Sequence, residues 1–220
     1  KGRAKEEKNE IISIKSQLSK ITTKKEFKKF LQQKTLDGQM SFIVAGPNSD
    51  LHNPNLWEMI LMPNFLSLNQ VEHYAKPELM ADYEVLVKDF FSLAGVPKPQ
   101  EISSKFIQLE KDFAKIHPTK AILRPRFSDA TLAKSRQQLV TDYPDLFPEI
   151  LNKIPTNFVI RDISPESMKK LHELIEATSL VDLKSIYLVR AMMGSVELSN
   201  PEFFNNVRAF RIKHLGASPT

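Results

Sequence analysis

The sequence contains no cysteine and only six glycines among its 220 residues. The absence of cysteine excludes disulfide bonds, thiolate zinc sites and a cysteine nucleophile. So few glycines leave no phosphate-binding loop or dinucleotide fingerprint, and no Gly-x-Ser-x-Gly elbow of a serine hydrolase is present. The sequence therefore offers no motif for a nucleotide-binding enzyme, a serine hydrolase or a thiol enzyme.

Long apolar runs are also missing. The longest are short, such as Phe42–Ala45 and Met59–Met62, whereas a membrane-spanning helix needs about 20 apolar residues. We therefore predict no membrane span, and no signal peptide is visible. Because the first residue is Lys1 rather than Met, we expect the natural chain to begin earlier. The compartment stays open, since cytoplasmic and exported bacterial proteins can both lack cysteine.

Positive charge is concentrated at the start of the chain. Residues 1–34 hold eleven Lys/Arg against four Asp/Glu, a formal charge of +7, and the remainder holds 20 against 22, or −2. An amphipathic helix is predicted over residues 4–19, with Ile11, Ile14 and Leu18 on one face. Its lysines can form a solvated face, bind nucleic-acid phosphates or bind an anionic membrane surface. The solvated face is favoured and no nucleic-acid partner is predicted, because residues 1–26 lack aromatic stacking platforms.

Local signals predict one mostly helical domain over residues 1–220, with a basic helical segment at 1–35. Thr23 and Glu26 form a capping-box pattern that starts the helix ending near Lys34. Ser164 before Pro165 is a strong start signal, because a capping hydroxyl precedes a proline at the first helical position. Further helices are predicted at residues 77–93, 102–116, 130–140, 146–154, 165–177, 179–193 and 201–215.

Two short apolar runs predict a small β-hairpin or minor sheet near residues 40–62. The first, Met40–Ala45, is stopped by Gly46-Pro47, and the second, Leu56–Met62, is stopped by Pro63. A polar, turn-rich loop separates them. A further short strand is predicted at Asn157–Arg161. The fold class is therefore mainly α with a minor sheet.

Short motifs recur in order along most of the chain. A strand, a polar loop with Asp50 and a second strand lead to the closing aromatic Tyr74, and Leu109–Ala114 reads Leu-Glu-x-x-apolar-Ala. The last third holds Phe158-Val159-Ile160, Ser164-Pro165-Glu166, Leu171, Leu174, Leu183–Arg190, Phe210 and Leu215-Gly216. In order and spacing these motifs resemble the N-terminal helical domain of the neprilysin family (endothelin-converting-enzyme/neprilysin-like) of zinc metallopeptidases. One departure is the family's Gly-Leu-Gly-Leu-Pro turn, which here reads Asn64-Phe65-Leu66-Ser67-Leu68.

The resemblance implies a zinc endopeptidase with two helical lobes around an internal chamber. In that family the zinc-binding His-Glu-x-x-His helix and a later glutamate belong to the C-terminal lobe, and this sequence stops before them. We therefore expect a non-catalytic N-terminal lobe that encloses the chamber, restricts peptide access and is inactive alone. No cofactor is expected in this chain; zinc is expected in the absent lobe, and the partners are that lobe and peptide substrates. The alternative is a stand-alone helical interaction or scaffold protein without catalytic activity.

One segment, His172-Glu173-Leu174-Ile175-Glu176, approaches the zinc-peptidase motif. The motif needs a second histidine four residues after the first, and Glu176 occupies that position. A His/Glu pair at this spacing has the geometry to ligate zinc. However, Leu171, Leu174 and Ile175 make the segment an ordinary amphipathic helix, so the structural interpretation is favoured. No catalytic, cofactor-binding or metal-ligating residue is predicted.

The remaining titratable residues show no site pattern. The other histidines lack ligand spacing: His52, His73, His117 and His214. Two pairs of carboxylates are read as surface charge: Asp142 with Asp145, and Glu72 with Glu78. Four residues of the last third are predicted to be core: Tyr187, Arg190, Phe203 and Phe210. A buried Arg190 would need a carboxylate partner, for which Asp162 and Asp182 are both candidates.

Overall fold

The computed structural model describes residues 2–50, 53–194 and 201–218, with side chains described from residue 10 and, in the last range, from residue 203. The described chain is mostly helical with a small sheet, which confirms the predicted fold class. The α-helices are α1 (Gly2–Ser19), α2 (Lys24–Leu36), α3 (Pro77–Leu93), α4 (Pro99–Ala114), α5 (Lys120–Arg126), α6 (Arg136–Asp142), α7 (Pro148–Leu151), α8 (Pro165–Ala177), α9 (Leu180–Gly194) and α10 (Pro201–Leu215). Short 3₁₀ helices lie at Val71–Ala75 and Ala130–Leu132. Among these helices, none combines the length and the apolar character that crossing a membrane requires.

Helix ends follow local chemistry in most places. The Thr23 hydroxyl accepts from the Glu26 amide at 3.1 Å and the Glu26 carboxylate accepts from the Thr23 amide at 3.2 Å, so the capping box of α2 is confirmed. Gly95 closes α3 with φ +70°, a conformation that costs glycine little. Ser164 precedes α8 as predicted, but the predicted capping hydroxyl is wrong. Its Oγ donates to the Ser167 Oγ at 2.6 Å instead of capping a backbone amide.

The segment between α4 and α6 differs most from the prediction. The sequence predicts no helix at residues 118–129, yet α5 forms there with no buried residue. A helix without a buried face leaves no apolar period to detect. The helix predicted at 130–140 is wrong at its start. Ser135 and Gln138 form a capping box, and α6 therefore begins only at Arg136.

A three-stranded sheet contains the predicted hairpin. Its strands are β1 (Ile43–Ser49), β2 (Trp57–Pro63) and β3 (Val159–Asp162), in the order β1-β2-β3. β1 pairs antiparallel with β2, and β2 pairs parallel with β3. This confirms the hairpin near residues 40–62. β1 continues past the predicted stop at Pro47, because an edge strand tolerates a residue without an N–H group on its outer side.

The chain divides into two compact units. The helical unit comprises Lys1–Ile21, Glu72–Lys111 and Val181–Thr220. The sheet unit comprises Thr22–Val71 and Asp112–Leu180. Each unit is therefore built from segments that are distant in sequence.

Aromatic rings fill the core of each unit. In the helical unit, Phe90 and Phe203 meet edge to face with centroids 4.4 Å apart. In the sheet unit, Phe42 contacts Phe27 at 6.2 Å and Phe65 at 5.4 Å. The four residues predicted to be core are all buried: Tyr187, Arg190, Phe203 and Phe210. Buried aromatic side chains contribute large apolar areas to each core.

Candidate functional site

The segment nearest to a zinc-peptidase motif lies on α8 in the sheet unit. The His172 imidazole packs edge to face on the Tyr143 ring, with centroids 6.3 Å apart. Its Nδ1 atom is buried and has no hydrogen-bond partner among the described residues. One turn later, the Glu176 carboxylate forms an ion pair with the Lys28 ammonium, and Lys24 donates to the Glu176 carbonyl oxygen. Glu176 is therefore already neutralised by α2.

Burial and the Lys28 ammonium together shift the pKa values of this pair. Burial, and then the nearby Lys28 ammonium, lower the pKa of His172. The hydrogen bond from Lys28 lowers the pKa of Glu176. A divalent cation bound between His172 and Glu176 would have to displace this ammonium or lie beside it. The pair therefore does not fit a zinc ion, which needs its ligands free and close together.

The remaining histidines have neighbours of other kinds. His117 Nδ1 lies 3.0 Å from the Ser167 hydroxyl, and His214 Nε2 lies 2.7 Å from the Asp82 carboxylate. His73 is buried, and His52 lies outside the described residues. Within the described ranges no group of three or more His, Cys, Asp or Glu side chains could hold a metal ion. The described residues thus do not fit a zinc ion.

Of the four carboxylates considered as pairs in the sequence, three contact lysines rather than each other. The contacts are Asp142 with Lys134 at 2.6 Å, Asp145 with Lys25 at 3.5 Å, and Glu78 with Lys213 at 2.9 Å. Glu72 is exposed. On α2, Lys29 also contacts Glu149 at 3.5 Å. Three of the four carboxylates therefore act as ion-pair partners, and part of the N-terminal positive charge is neutralised within the sheet unit.

A chain of hydrogen-bonded polar groups connects Tyr143 to His117 through the start of α8. The Tyr143 hydroxyl donates to the Asp162 carboxylate at 2.8 Å, and the Ser164 amide donates to the same carboxylate at 3.3 Å. The Ser164 hydroxyl donates to the Ser167 hydroxyl, which lies 3.0 Å from the His117 ring. Asp162, Ser164 and Ser167 are fully buried. Each polar group of this chain thus finds a partner inside the unit, as buried polar groups require.

Desolvation dominates the electrostatics of this network. Burial raises the pKa of Asp162, and burial together with that carboxylate raises the pKa of Tyr143. Burial lowers the pKa of His117. Ser167 beside His117 has the pattern of a nucleophile next to its base. However, Ser167 has no exposed surface, so a substrate has no access to its hydroxyl and the network is structural.

An ion pair joins two neighbouring strands of the sheet. Glu58 on β2 and Arg161 on β3 are 2% and 4% exposed, and their side chains are in direct contact. The Arg161 Nε and Nη1 atoms have no hydrogen-bond partner among the described residues. Neither residue was singled out from the sequence. The available signal was one charge of opposite sign in each of two predicted strands, Glu58 in Leu56–Met62 and Arg161 at the end of Asn157–Arg161, a pattern that favours cross-strand pairing.

The fold is that of a mainly helical domain whose described polar groups mostly pair with one another. Residues 2–219 match the N-terminal profile described as peptidase family M13. The chain belongs to peptidase family M13 and corresponds to the N-terminal domain of that family. This confirms the resemblance to neprilysin-like zinc metallopeptidases. No curated protein matches the sequence significantly.

Solved structures of the zinc metalloprotease Zmp1 from Mycobacterium tuberculosis share this fold. The structure in the open state has a TM-score of 0.77 and 15% identity, covering 94% of this chain and 34% of that chain. The structure in complex with an inhibitor has a TM-score of 0.73 and 15% identity, covering 94% and 33%. The chain thus spans about a third of the length of these solved chains.

Proposed function

We propose that this chain is the N-terminal, non-catalytic lobe of a zinc metalloendopeptidase that cleaves peptides. All of residues 1–220 belong to this lobe, which encloses the active-site chamber and restricts the peptides that enter. Its partner is the C-terminal catalytic lobe of the same polypeptide, which holds the zinc. The observation that carries the proposal is the family match over residues 2–219. The contribution of such a lobe is positioning and exclusion rather than bond making.

The contacts of the polar residues support a non-catalytic role. Glu176 is held by Lys28, and Asp162 is held by Tyr143. Ser167, the one hydroxyl beside a histidine in the buried network, has no exposed surface. A general base or nucleophile must reach a substrate atom within hydrogen-bond distance, whereas Asp162 and Ser167 are fully buried and Glu176 is held in an ion pair.

The reading frame that encodes the chain tests the assignment to a larger peptidase. We expect it to continue past Thr220 and to encode His-Glu-x-x-His followed by a later glutamate. A frame that ends near Thr220 would favour the stand-alone scaffold protein instead. Zinc analysis of the purified 220-residue chain is the matched biochemical test. We expect no stoichiometric zinc, and zinc that is bound and then lost on His172→Ala would overturn the proposal.

The restriction of substrate size needs its own experiment on the full-length enzyme. Peptides of increasing length that share one cleavage sequence should show kcat/KM falling steeply beyond a threshold length. Unfolded protein containing that sequence should be cleaved poorly, because an enclosed chamber admits only short chains. If kcat/KM is independent of length, the enclosing role is wrong while the lobe assignment still stands.

A further inference from the structure

A groove of about 390 Å³ lies between α3 and α10 in the helical unit. The two helices run antiparallel. Tyr83 contacts Phe210, and Phe90, which comes later on α3, contacts Phe203, which comes earlier on α10. One face of α3 and one face of α10 therefore form the two sides of the groove. Val85 stands on the α3 side.

Apolar groups line the middle of this groove. Phe210 and Leu86 are each 8% exposed and form its base, whereas Val85 is 62% exposed and forms part of its wall. A valine this exposed on a helix is unremarkable alone. Here it faces a concave surface with an aromatic ring at its base, the arrangement that holds the apolar part of a ligand.

One end of the groove is closed by ion pairs. The Asp82 carboxylate accepts from the Lys213 ammonium at 2.9 Å and from His214 Nε2 at 2.7 Å. Lys213 also contacts Glu78 at 2.9 Å. The charges at this end are shared among protein groups, and the Lys213 ammonium disfavours a second cation beside it.

The opposite end carries a carboxylate without a partner. Asp89 lies two helical turns after Asp82, and Asn206 faces it from α10. Within the part of the chain that the structure describes, neither Asp89 nor Asn206 makes a hydrogen bond or an ion pair. The groove thus combines an apolar base with a free anionic group and an amide at one end.

We propose that this groove binds an ammonium or guanidinium group carried on an apolar stem, with the cation at Asp89 and the stem on Val85 and Phe210. The carboxylate supplies a charged acceptor for the cation, and the Phe210 ring supplies an apolar surface for the stem. Seven residues of helix separate Asp82 from Asp89, which is roughly 10 Å at 1.5 Å per residue. This length suits a stem of a few carbon atoms. The proposal is independent of the lobe function.

Two sources share this ligand chemistry. One is a lysine or arginine side chain of a polypeptide, and the other is a free alkylamine. The probes are therefore n-hexylammonium and the tripeptide acetyl-Leu-Lys-Leu-amide, with hexanoate as the charge-reversed control. Tighter binding of the tripeptide would assign a polypeptide ligand, and tighter binding of n-hexylammonium would assign a free amine. Either result supports the cation site.

Amide chemical shifts of the 220-residue chain report binding residue by residue. We expect n-hexylammonium to shift resonances of residues 82–89 and 206–213, and hexanoate to leave them unchanged. Asp89→Asn should weaken binding by about tenfold, the loss expected for one charged hydrogen bond. Glu72→Gln is the matched control, because it removes the same charge from an exposed position of the same unit.

A second variant separates the groove from its charge. Ala209 lines the groove and is exposed, so Ala209→Leu should fill part of the space and weaken binding while Asp89 remains. The proposal is overturned if neither cationic probe shifts these residues, if hexanoate binds equally well, or if Asp89→Asn binds as tightly as Glu72→Gln. The amide spectrum of each variant also reports whether it is folded.

Discussion

Both units bury a tyrosine hydroxyl against a carboxylate, yet they differ in what surrounds it. In the helical unit, Tyr83 donates to Glu110 at 2.7 Å. In the sheet unit, Tyr143 donates to Asp162 at 2.8 Å, and the polar chain continues to His117. The helical unit has a histidine, His214, in contact with a carboxylate. The sheet unit instead places its two described histidines, His117 and His172, beside hydroxyl groups and a lysine.

This difference teaches that similar hydrogen bonds can leave two units with different responses to protons. Burial disfavours the protonated form of a histidine unless a carboxylate hydrogen-bonds to the ring. Burial lowers the pKa of both His117 and His172 in the sheet unit. In the helical unit, the pKa values of Glu78 and Asp82 are lowered, and both are exposed groups beside Lys213. We therefore expect the sheet unit to be the one that is sensitive near neutral pH.

The largest effect should come from breaking the buried ion pair of the sheet unit. Glu58→Ala leaves Arg161 buried without its carboxylate, and we expect a loss of about 3–5 kcal/mol in the free energy of unfolding. Urea denaturation followed by tryptophan fluorescence measures it, because the single tryptophan, Trp57, lies on the same strand.

The double variant Glu58→Met with Arg161→Leu is the matched control. Replacing both charges with apolar groups removes the unpaired guanidinium, so most of the lost stability should return. If the double variant is as unstable as Glu58→Ala, the ion pair itself rather than the unpaired charge holds the strands together.

The two buried tyrosines allow a direct comparison of the units. Tyr143→Phe and Tyr83→Phe should each lower the free energy of unfolding by about 1–2 kcal/mol, since each removes one buried hydrogen bond. Tyr143→Phe should also raise the pKa of Asp162, because the Tyr143 hydroxyl is the group that most favours its charged form. Carbon-13 chemical shifts of the Asp162 carboxyl group measure this change. An unchanged titration of Asp162 would show that the hydroxyl contributes nothing to its ionisation.

The next largest effect should be a dependence of stability on pH that arises in the sheet unit. The folded-state pKa values of His117 and His172 lie below 6.5, so below that pH the unfolded chain binds protons that the folded chain does not. Stability therefore falls as pH decreases from 6.5 through the folded pKa values. The raised pKa of Asp162 has the opposite effect on stability, which it lowers as pH increases. Its contribution is present below 3.8 and is lost as pH rises through its folded pKa.

Urea midpoints at a series of pH values between about 7.5 and 5 test this expectation. His117→Asn and His172→Asn should each flatten the decline on the acid side of 6.5. His214→Asn in the helical unit is the control and should leave the decline in place. If His214→Asn flattens the profile as much as the other two, the assignment of pH sensitivity to the sheet unit is wrong.

The smallest effect should come from the exposed cluster on α3 and α10. Lys213 lowers the pKa of Glu78 and of Asp82 and has its own pKa raised by them. Stability from the two carboxylates is present above their ordinary values and is lost as pH falls through their lowered ones. Lys213→Met should thus cause only a slight change in acid unfolding. Salt at about 1 M should abolish it, because exposed pairs are screened; a large, salt-resistant change would contradict this.

Much of the fold could be predicted because local chemistry agrees with it. The capping box of Thr23 and Glu26 and the left-handed Gly95 each act within one turn of chain. α5 escaped prediction because it buries no side chain. The parallel pairing of β2 with β3 depends on a register between distant residues, such as Glu58 opposite Val159. No local pattern contains that register.

The polar groups were harder to place than the helices. His172 could be assigned to an amphipathic helix, since its apolar neighbours recur with helical period. The ion pair of Glu176 with Lys28 joins α8 to α2, so spacing within α8 carries no sign of it. The groove at Asp89 depends on the packing of α10 against α3. Such sites follow from tertiary contacts, which a single sequence does not list.

The parallel pairing of β2 with β3 also has a consequence for synthesis on the ribosome. Glu58 emerges about 100 residues before its strand neighbour Val159, which is roughly 5–20 s at usual translation rates. During this interval the hairpin of β1 and β2 has one edge without its permanent neighbour. Such an edge can pair with another nascent chain. Cells that make this protein therefore have a reason to keep the interval short or to shield the hairpin with a chaperone until β3 arrives.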